Sequence, residues 1–163
     1  MATIQYSDLS QKSDFLSELA HLYFKQWGYE DPNRSLATEI EALQKSLIPH
    51  QYPYTIIAHT GNQLIGAGQL KWKEMTIYPD QEYWLGGVLI KPPFRGQGIA
   101  KDLIERLIER AEHLKIATLY LQTERLDGGL YAELGWQKLE LVDYHQMKIL
   151  VMQKRLNNAT SNN

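Results

Sequence analysis

The stretch Trp84-Leu85-Gly86-Gly87-Val88-Leu89-Ile90-Lys91-Pro92-Pro93-Phe94-Arg95-Gly96-Gln97-Gly98-Ile99-Ala100 decides the fold. A β-rich run over 83–90 ends at Pro92-Pro93, a glycine-rich turn follows, and a helix opens at Ile99. Backbone N–H groups at a helix N-terminus are unpaired and the macrodipole adds partial positive charge, so such a turn suits a phosphate or pyrophosphate. Two common phosphate loops are excluded: Lys101 stands where the third glycine of GxGxxG belongs, and GxxxxGK[ST] is absent. Gly86-Gly87 inside an aliphatic strand marks a bulge or a close backbone approach, and a bulge leaves main-chain groups free to grip an amide-bearing ligand like an added strand.

Upstream, residues 3–7 suit a short strand, and Phe15, Leu19, Leu22 and Tyr23 recur at helical spacing until Gly28. Ser35 caps a second helix whose Leu36, Ile40, Leu43 and Leu47 share a face, with Pro49 beyond. Runs over 54–60 and 63–72 surround Gly61-Asn62, a hairpin signal, and with 83–90 they form an antiparallel meander. Downstream, Ile99, Leu103, Leu107, Ala111 and Leu114 give a long amphipathic helix. A buried strand over 118–122, a helix over 126–134 and strands over 136–142 and 145–152 complete the order. The strand–helix–strand crossover is parallel, so the expected fold is α/β (α+β) with a mixed, mostly antiparallel central sheet flanked by helices. Residues 1–156 are expected to form one domain and 157–163 a disordered tail.

Composition narrows the function. With 44% hydrophobic and 22% charged residues the 163-residue chain is globular, and 17 Lys+Arg against 19 Asp+Glu leave no global footprint for nucleic acid or anionic membrane. No cysteine is present, which removes disulfides, thiolate metal sites and a thiol nucleophile. The five histidines form no HExxH and GxSxG is absent, so neither a metal nor a serine hydrolase is expected. The first residues lack a basic stretch followed by an apolar core, and no run of roughly eighteen apolar residues exists, so a cytoplasmic location is expected.

A phosphate site beside an amide-binding strand describes coenzyme A. Arg95-Gly96-Gln97-Gly98-Ile99-Ala100 matches an R/Q-x-x-G-x-G/A signature, and Tyr131 with Gly135-Trp136 matches Y-x-x-x-G-F/W. Together these resemble the GNAT superfamily of acetyl-CoA-dependent N-acetyltransferases, over nearly the whole chain. The resemblance implies that Arg95, Gly96, Gln97, Gly98, Ile99 and Ala100 wrap the pyrophosphate and that Val88, Leu89 and Ile90 offer main-chain bonds to the pantetheine arm. It implies that Tyr131 protonates the departing thiolate, and it makes Glu82, by its spacing before Arg95, the candidate base. Thr123-Glu124-Arg125 stands where many members carry an asparagine.

Each role has a plainer counterpart. Tyr131 could be a packed aromatic, Glu82 a solvated strand end, and Trp72, Tyr78, Trp84, Tyr52 and Tyr54 core residues rather than walls of an acceptor pocket. The expected reaction is direct acetyl transfer from acetyl-CoA to a primary amine, of a small molecule or a peptide N-terminus, with no covalent enzyme intermediate. The amine is placed near the carboxylates of Glu74, Asp80 and Glu82. The competing expectation is a non-catalytic acetyl-CoA-binding or sensor domain; a transferase acting on RNA is disfavoured by the net charge of -2.

Overall fold

The structure is a computed structural model that describes residues 3–157. Its strands are β1 (Gln5–Asp8), β2 (Tyr54–His59), β3 (Leu64–Trp72), β4 (Tyr83–Ile90), β5 (Thr118–Thr123), β6 (Gln137–Tyr144) and β7 (Met147–Arg155). Its α-helices are α1 (Leu16–Trp27), α2 (Leu36–Gln44), α3 (Ile99–His113) and α4 (Gly129–Glu133). The strands make one seven-stranded sheet in the order β1-β2-β3-β4-β5-β7-β6, mostly antiparallel, with β4 and β5 the parallel pair registered at Trp84 and Tyr120. This is the mixed α/β architecture that the element order predicts.

The chain divides into two compact units, one comprising the residues up to Leu70 with Gly87–Leu107, the other Lys71–Gly86 with the residues from Ile108 onward. In the first, Leu19, Ala20 and Tyr23 of α1 and Leu43 of α2 pack with Ile57, Leu64 and Ala67 in one buried cluster. Their helical spacing forms the stripe read from the sequence. Ser35 starts α2 with a capping box: its side chain accepts from Thr38 N, while Thr38 Oγ1 accepts from Ser35 N. Ala58 opposes Gly66 but His59 opposes Leu64, so Ile65 is an extra residue and the strand changes parity there. The bulge puts Leu64 on the same face as Ala67, whereas Gly68 meets Leu103 and Leu107 of α3.

In the second unit Met75, Trp84, Ile149 and Val151 form the buried cluster, with Tyr78 and Tyr120 packed against it. Trp84 is fully buried and its Nε1 donates to Gln81 O at 2.9 Å, so this aromatic is a core residue. Two expectations need correcting. The helix expected over 126–134 is only α4, because Gly128 takes a left-handed φ of 84° at its start and the Asp127 carboxylate accepts from Gly129 N, making 126–128 a turn. The strand expected from His145 starts at Met147: His145 and Gln146 have φ of 51° and 66° and form the β6–β7 turn. Of the expected tail, Asn157 is placed with its N–H donating to Glu112 Oε2 at 3.3 Å, and residues 158–163 lie outside the described ones.

Candidate active site

The first unit holds most of the residues expected to bind the cofactor. Gly87 sits at φ 59°, a left-handed conformation in mid-strand that glycine adopts without strain. Its carbonyl receives the Tyr23 phenol at 2.7 Å. A Cβ added there would stand 2.7 Å from Gln69 Oε1 and 3.0 Å from the Tyr23 oxygen. Behind it runs a buried polar chain: Gln69 Nε2 donates to Thr55 Oγ1 at 3.1 Å, which lies 2.8 Å from Ser46 Oγ, which donates to Pro53 O at 2.5 Å. Every link satisfies a polar group withdrawn from water. Tyr23 and Gln69 therefore pack against the left-handed Gly87, although the sequence shows Tyr23 only as part of an apolar helical stripe.

Beyond Gly87, Val88 and Ile90 are half-buried and Leu89 is buried. The Ile90 carbonyl takes the Arg95 Nε–H at 3.0 Å, so the Arg95 side chain folds back on the strand and closes the turn. Gly96 and Gly98 both adopt φ 79°, and no atom lies within 4 Å of where a Cβ on either would stand. Asp102 N donates to Gly98 O at 3.1 Å, the first bond of α3, so the N–H groups of the preceding helical positions remain for a ligand. Ile99, 3% exposed, anchors this end of α3 in the core, Arg95 and Gln97 are exposed, and Ala100 is half-buried. An exposed turn with two glycines, opening onto a helix N-terminus, fits a pyrophosphate in shape and in sign.

The second unit carries the residues expected to do the acid–base chemistry, Tyr131 and Glu82. Tyr131 lies on α4, half-buried, its ring edge-on to Trp136 with centroids 6.0 Å apart. Trp136 N donates to Tyr131 O at 3.0 Å and so ties the helix end to the following strand. Burial, with a smaller contribution from the Glu74 carboxylate, pushes the Tyr131 phenol up to about 12. Glu74 pairs with Lys71, Nζ to Oε1, at 2.6 Å. Both lie against Gly86, whose added Cβ would be 3.3 Å from Glu74 Oε1 and 3.4 Å from Lys71 Nζ.

The other acids differ. Glu82 and Asp80 are exposed; the Glu82 carbonyl, just before β4, receives Lys73 N at 2.7 Å. Trp72 is 45% exposed and stacks edge-on against Tyr83 at 5.2 Å, while Tyr78 donates to Glu140. Thr123 Oγ1 accepts from Arg125 N at 3.1 Å, which uses that side chain inside its own turn. Among the described residues no group of three or more His, Asp or Glu side chains is arranged to hold a metal, and no helix is long and apolar enough to cross a membrane. Lys71 is the one neighbour of this cluster that sequence reasoning missed, because an alternating strand shows its charge without showing its partner.

This combination of sheet, strand with a left-handed glycine, glycine turn and tyrosine helix is that of an acetyltransferase fold. A sequence model of the Acetyltransferase (GNAT) family matches residues 16–136, and the chain belongs to that family. Solved structures with the same fold include a ribosomal-protein-alanine N-acetyltransferase from Brucella melitensis, 19% identical with a TM-score of 0.72, matched over 94% of this chain and 99% of that one. An aminoglycoside 6'-N-acetyltransferase complexed with coenzyme A is 14% identical with a TM-score of 0.72, over 93% of this chain and 96% of that one. An N-acetyltransferase from Staphylococcus aureus Mu50 is 14% identical with a TM-score of 0.72, over 96% and 99%. At these identities the likeness establishes the fold. No curated protein sequence matches the chain.

Proposed function

We propose that the protein, with residues 1–156 acting as one catalytic domain in the cytoplasm, transfers the acetyl group of acetyl-CoA to a primary amine. The observation that carries this reading is the pair of left-handed glycines, Gly96 and Gly98, opening onto the first turn of α3. The backbone N–H groups of residues 95–100 hold the pyrophosphate, and main-chain groups of Val88, Leu89 and Ile90 hold the pantetheine amides. An N–H near Val88 or Leu89 faces the thioester carbonyl oxygen as negative charge develops on it.

The thioester supplies an activated acyl carbon. An alkyl amine with a pKa of about 10.4 loses a proton before it attacks. Glu82, exposed at the start of β4, passes that proton to solvent, directly or through a water. The C–N bond forms as the C–S bond breaks, the nitrogen's second proton leaves to water, and the Tyr131 phenol protonates the leaving thiolate. The thiolate, whose conjugate acid has a pKa of about 8.5, takes its proton from the phenol, which regains one from water. The acceptor is an amine of a small molecule or a peptide N-terminus, the classes named by the aminoglycoside and ribosomal-protein-alanine relatives.

Calorimetry with acetyl-CoA, paired with thiol release across aliphatic amines, aminoglycosides and free N-terminal peptides, tests the reading. Saturable binding with turnover on at least one amine is expected. Absence of binding overturns it, and binding without turnover on any amine replaces it with the acetyl-CoA sensor reading.

A further inference from the structure

The hydroxyl bonded to the Gly87 carbonyl belongs to Tyr23, one turn before the end of α1 at Trp27. The Tyr23 ring packs against the Trp27 ring at 5.6 Å and 44°. The last carbonyls of a helix have no partner within it, and helix ends fray. Here a partner comes from beyond the helix. Arg34 Nη1 donates to Trp27 O at 3.2 Å, while Arg34 Nε and Nη2 donate to Glu39 Oε2 and Oε1 at 2.9 and 3.1 Å. Glu39 is buried in the first turn of α2, and Glu30 Oε1 stands 3.5 Å from Arg34 Nη1. One guanidinium therefore joins the end of α1, the connection after it and the start of α2, all within the first unit.

The chemistry suits the place. A cation at a helix C-terminus satisfies a last carbonyl and opposes the negative end of the macrodipole. A planar guanidinium can fork onto a carboxylate and still donate to a carbonyl, which a lysine ammonium cannot do in this geometry. With side-chain exposures of 27% and 11%, the Arg34–Glu39 pair is largely withdrawn from water, unlike a solvated surface pair. Gly28, the next residue after Trp27, lies against the Phe24 ring, where an added Cβ would stand 2.7 Å from Cδ1, so the same turn is packed as well as capped.

Resting on the acetyl-transfer reading, we propose that Arg34 is the positioning residue of the Gly87 carbonyl and, through it, of the strand that binds acetyl-CoA. By capping α1 at Trp27 and tying that end to Glu39, Arg34 keeps the last turn wound, the Trp27 ring on Tyr23 and the Tyr23 hydroxyl on Gly87 O. That contact is made where Val88, Leu89 and Ile90 begin, the segment assigned to the pantetheine amides. Without Arg34 the hydroxyl leaves Gly87 part of the time, and apparent affinity falls with the fraction of molecules that keep the contact.

The test is a double-mutant cycle of Arg34→Met and Tyr23→Phe, read by calorimetric acetyl-CoA Kd, by melting and by amide hydrogen exchange over 87–90. Arg34→Met is expected to raise the Kd about fivefold or more, and the double variant to bind no more weakly than Tyr23→Phe, because the guanidinium acts through that hydroxyl. The double variant's Tm is expected to lie below that of Tyr23→Phe, since Arg34 also holds α2. Exchange over 87–90 is expected to quicken in both single variants and no further in the double. Should Arg34→Met fail to fold, Arg34→Lys, which keeps the charge and loses the fork, is expected to show the same rise in Kd and the same masking by Tyr23→Phe. A folded Arg34 variant with a lowered Tm but a Kd within about twofold of wild type, or effects on Kd that multiply in the double variant, overturns the inference. If wild type binds no acetyl-CoA, exchange decides. Quickening over 87–90 that is masked by Tyr23→Phe supports the hold of Arg34 on Gly87 and overturns the acetyl-transfer reading alone, whereas unchanged exchange overturns both.

Discussion

Replacing Tyr23 by Phe removes one oxygen and leaves the ring, which is 3% exposed, in place. No cavity of consequence forms, so the loss is the 2.7 Å hydrogen bond to Gly87 O. A carbonyl left without its partner costs about 1–3 kcal/mol. In a chain of this length each kcal/mol lowers Tm by about 2–4 °C, so a fall of about 2–12 °C is expected by calorimetric or circular-dichroism melting. The same carbonyl belongs to the left-handed Gly87 that immediately precedes Val88, Leu89 and Ile90, so acetyl-CoA affinity is expected to fall along with Tm. A Tm within 1 °C of wild type together with unchanged affinity would show that Gly87 holds its conformation unaided and that the Tyr23 hydroxyl contributes nothing to it.

Tyr131→Phe is expected to behave in the opposite way, lowering kcat by about 10²–10⁴-fold with Tm and acetyl-CoA Kd nearly unchanged, as stopped-flow thiol release would show. Because the phenol sits at about 12, no basic limb from Tyr131 is expected in the rate profile below about pH 11. Gly98→Ala places a side chain at φ 79°, a strain of about 1–2 kcal/mol. It also presents a methyl to the pyrophosphate, so acetyl-CoA Kd should rise at least tenfold while Tm falls only a few degrees; a Kd within twofold would remove the turn from the cofactor site. Burial raises the phenols of Tyr23 and Tyr131 above the ordinary value near 10. Above pH 10 the unfolded chain therefore releases protons that the native state keeps, so stability is full below pH 10 and falls as pH rises through the native values. Denaturant melts between pH 8 and 12 should show that decline, and Tyr23→Phe should reduce its slope.

The element order was legible because it rests on period and punctuation: the stripe of α1, the Ser35 cap of α2 and the proline stop after β4 each act within a few residues of sequence. The glycine turn was legible for the same reason. What the sequence hid depends on partners distant along the chain. The extra residue at Ile65 leaves no composition mark, since Leu64, Ile65 and Ala67 are all apolar. Tyr23 reads as one more ring on an apolar face until Gly87 turns its carbonyl toward it. Asp80, Glu82 and Glu74 look alike as carboxylates near aromatic residues, and only burial and the Lys71 pair separate Glu74 from the exposed two. The helix expected over 126–134 is longer than α4 because the Gly128-Gly129 pair sets the start of α4, an effect of backbone conformation that the run of residues does not display.

In the order β5-β7-β6 the last of the described strands occupies an interior position. During synthesis β5 and β6 leave the ribosome with the place between them vacant, and β6, whose sheet neighbour is β7, has nothing to pair with until residues 147–155 follow. The second unit therefore cannot close progressively behind the ribosome, and a nascent chain stopped before Met147 presents two unpaired strand edges to the cell's chaperones and proteases.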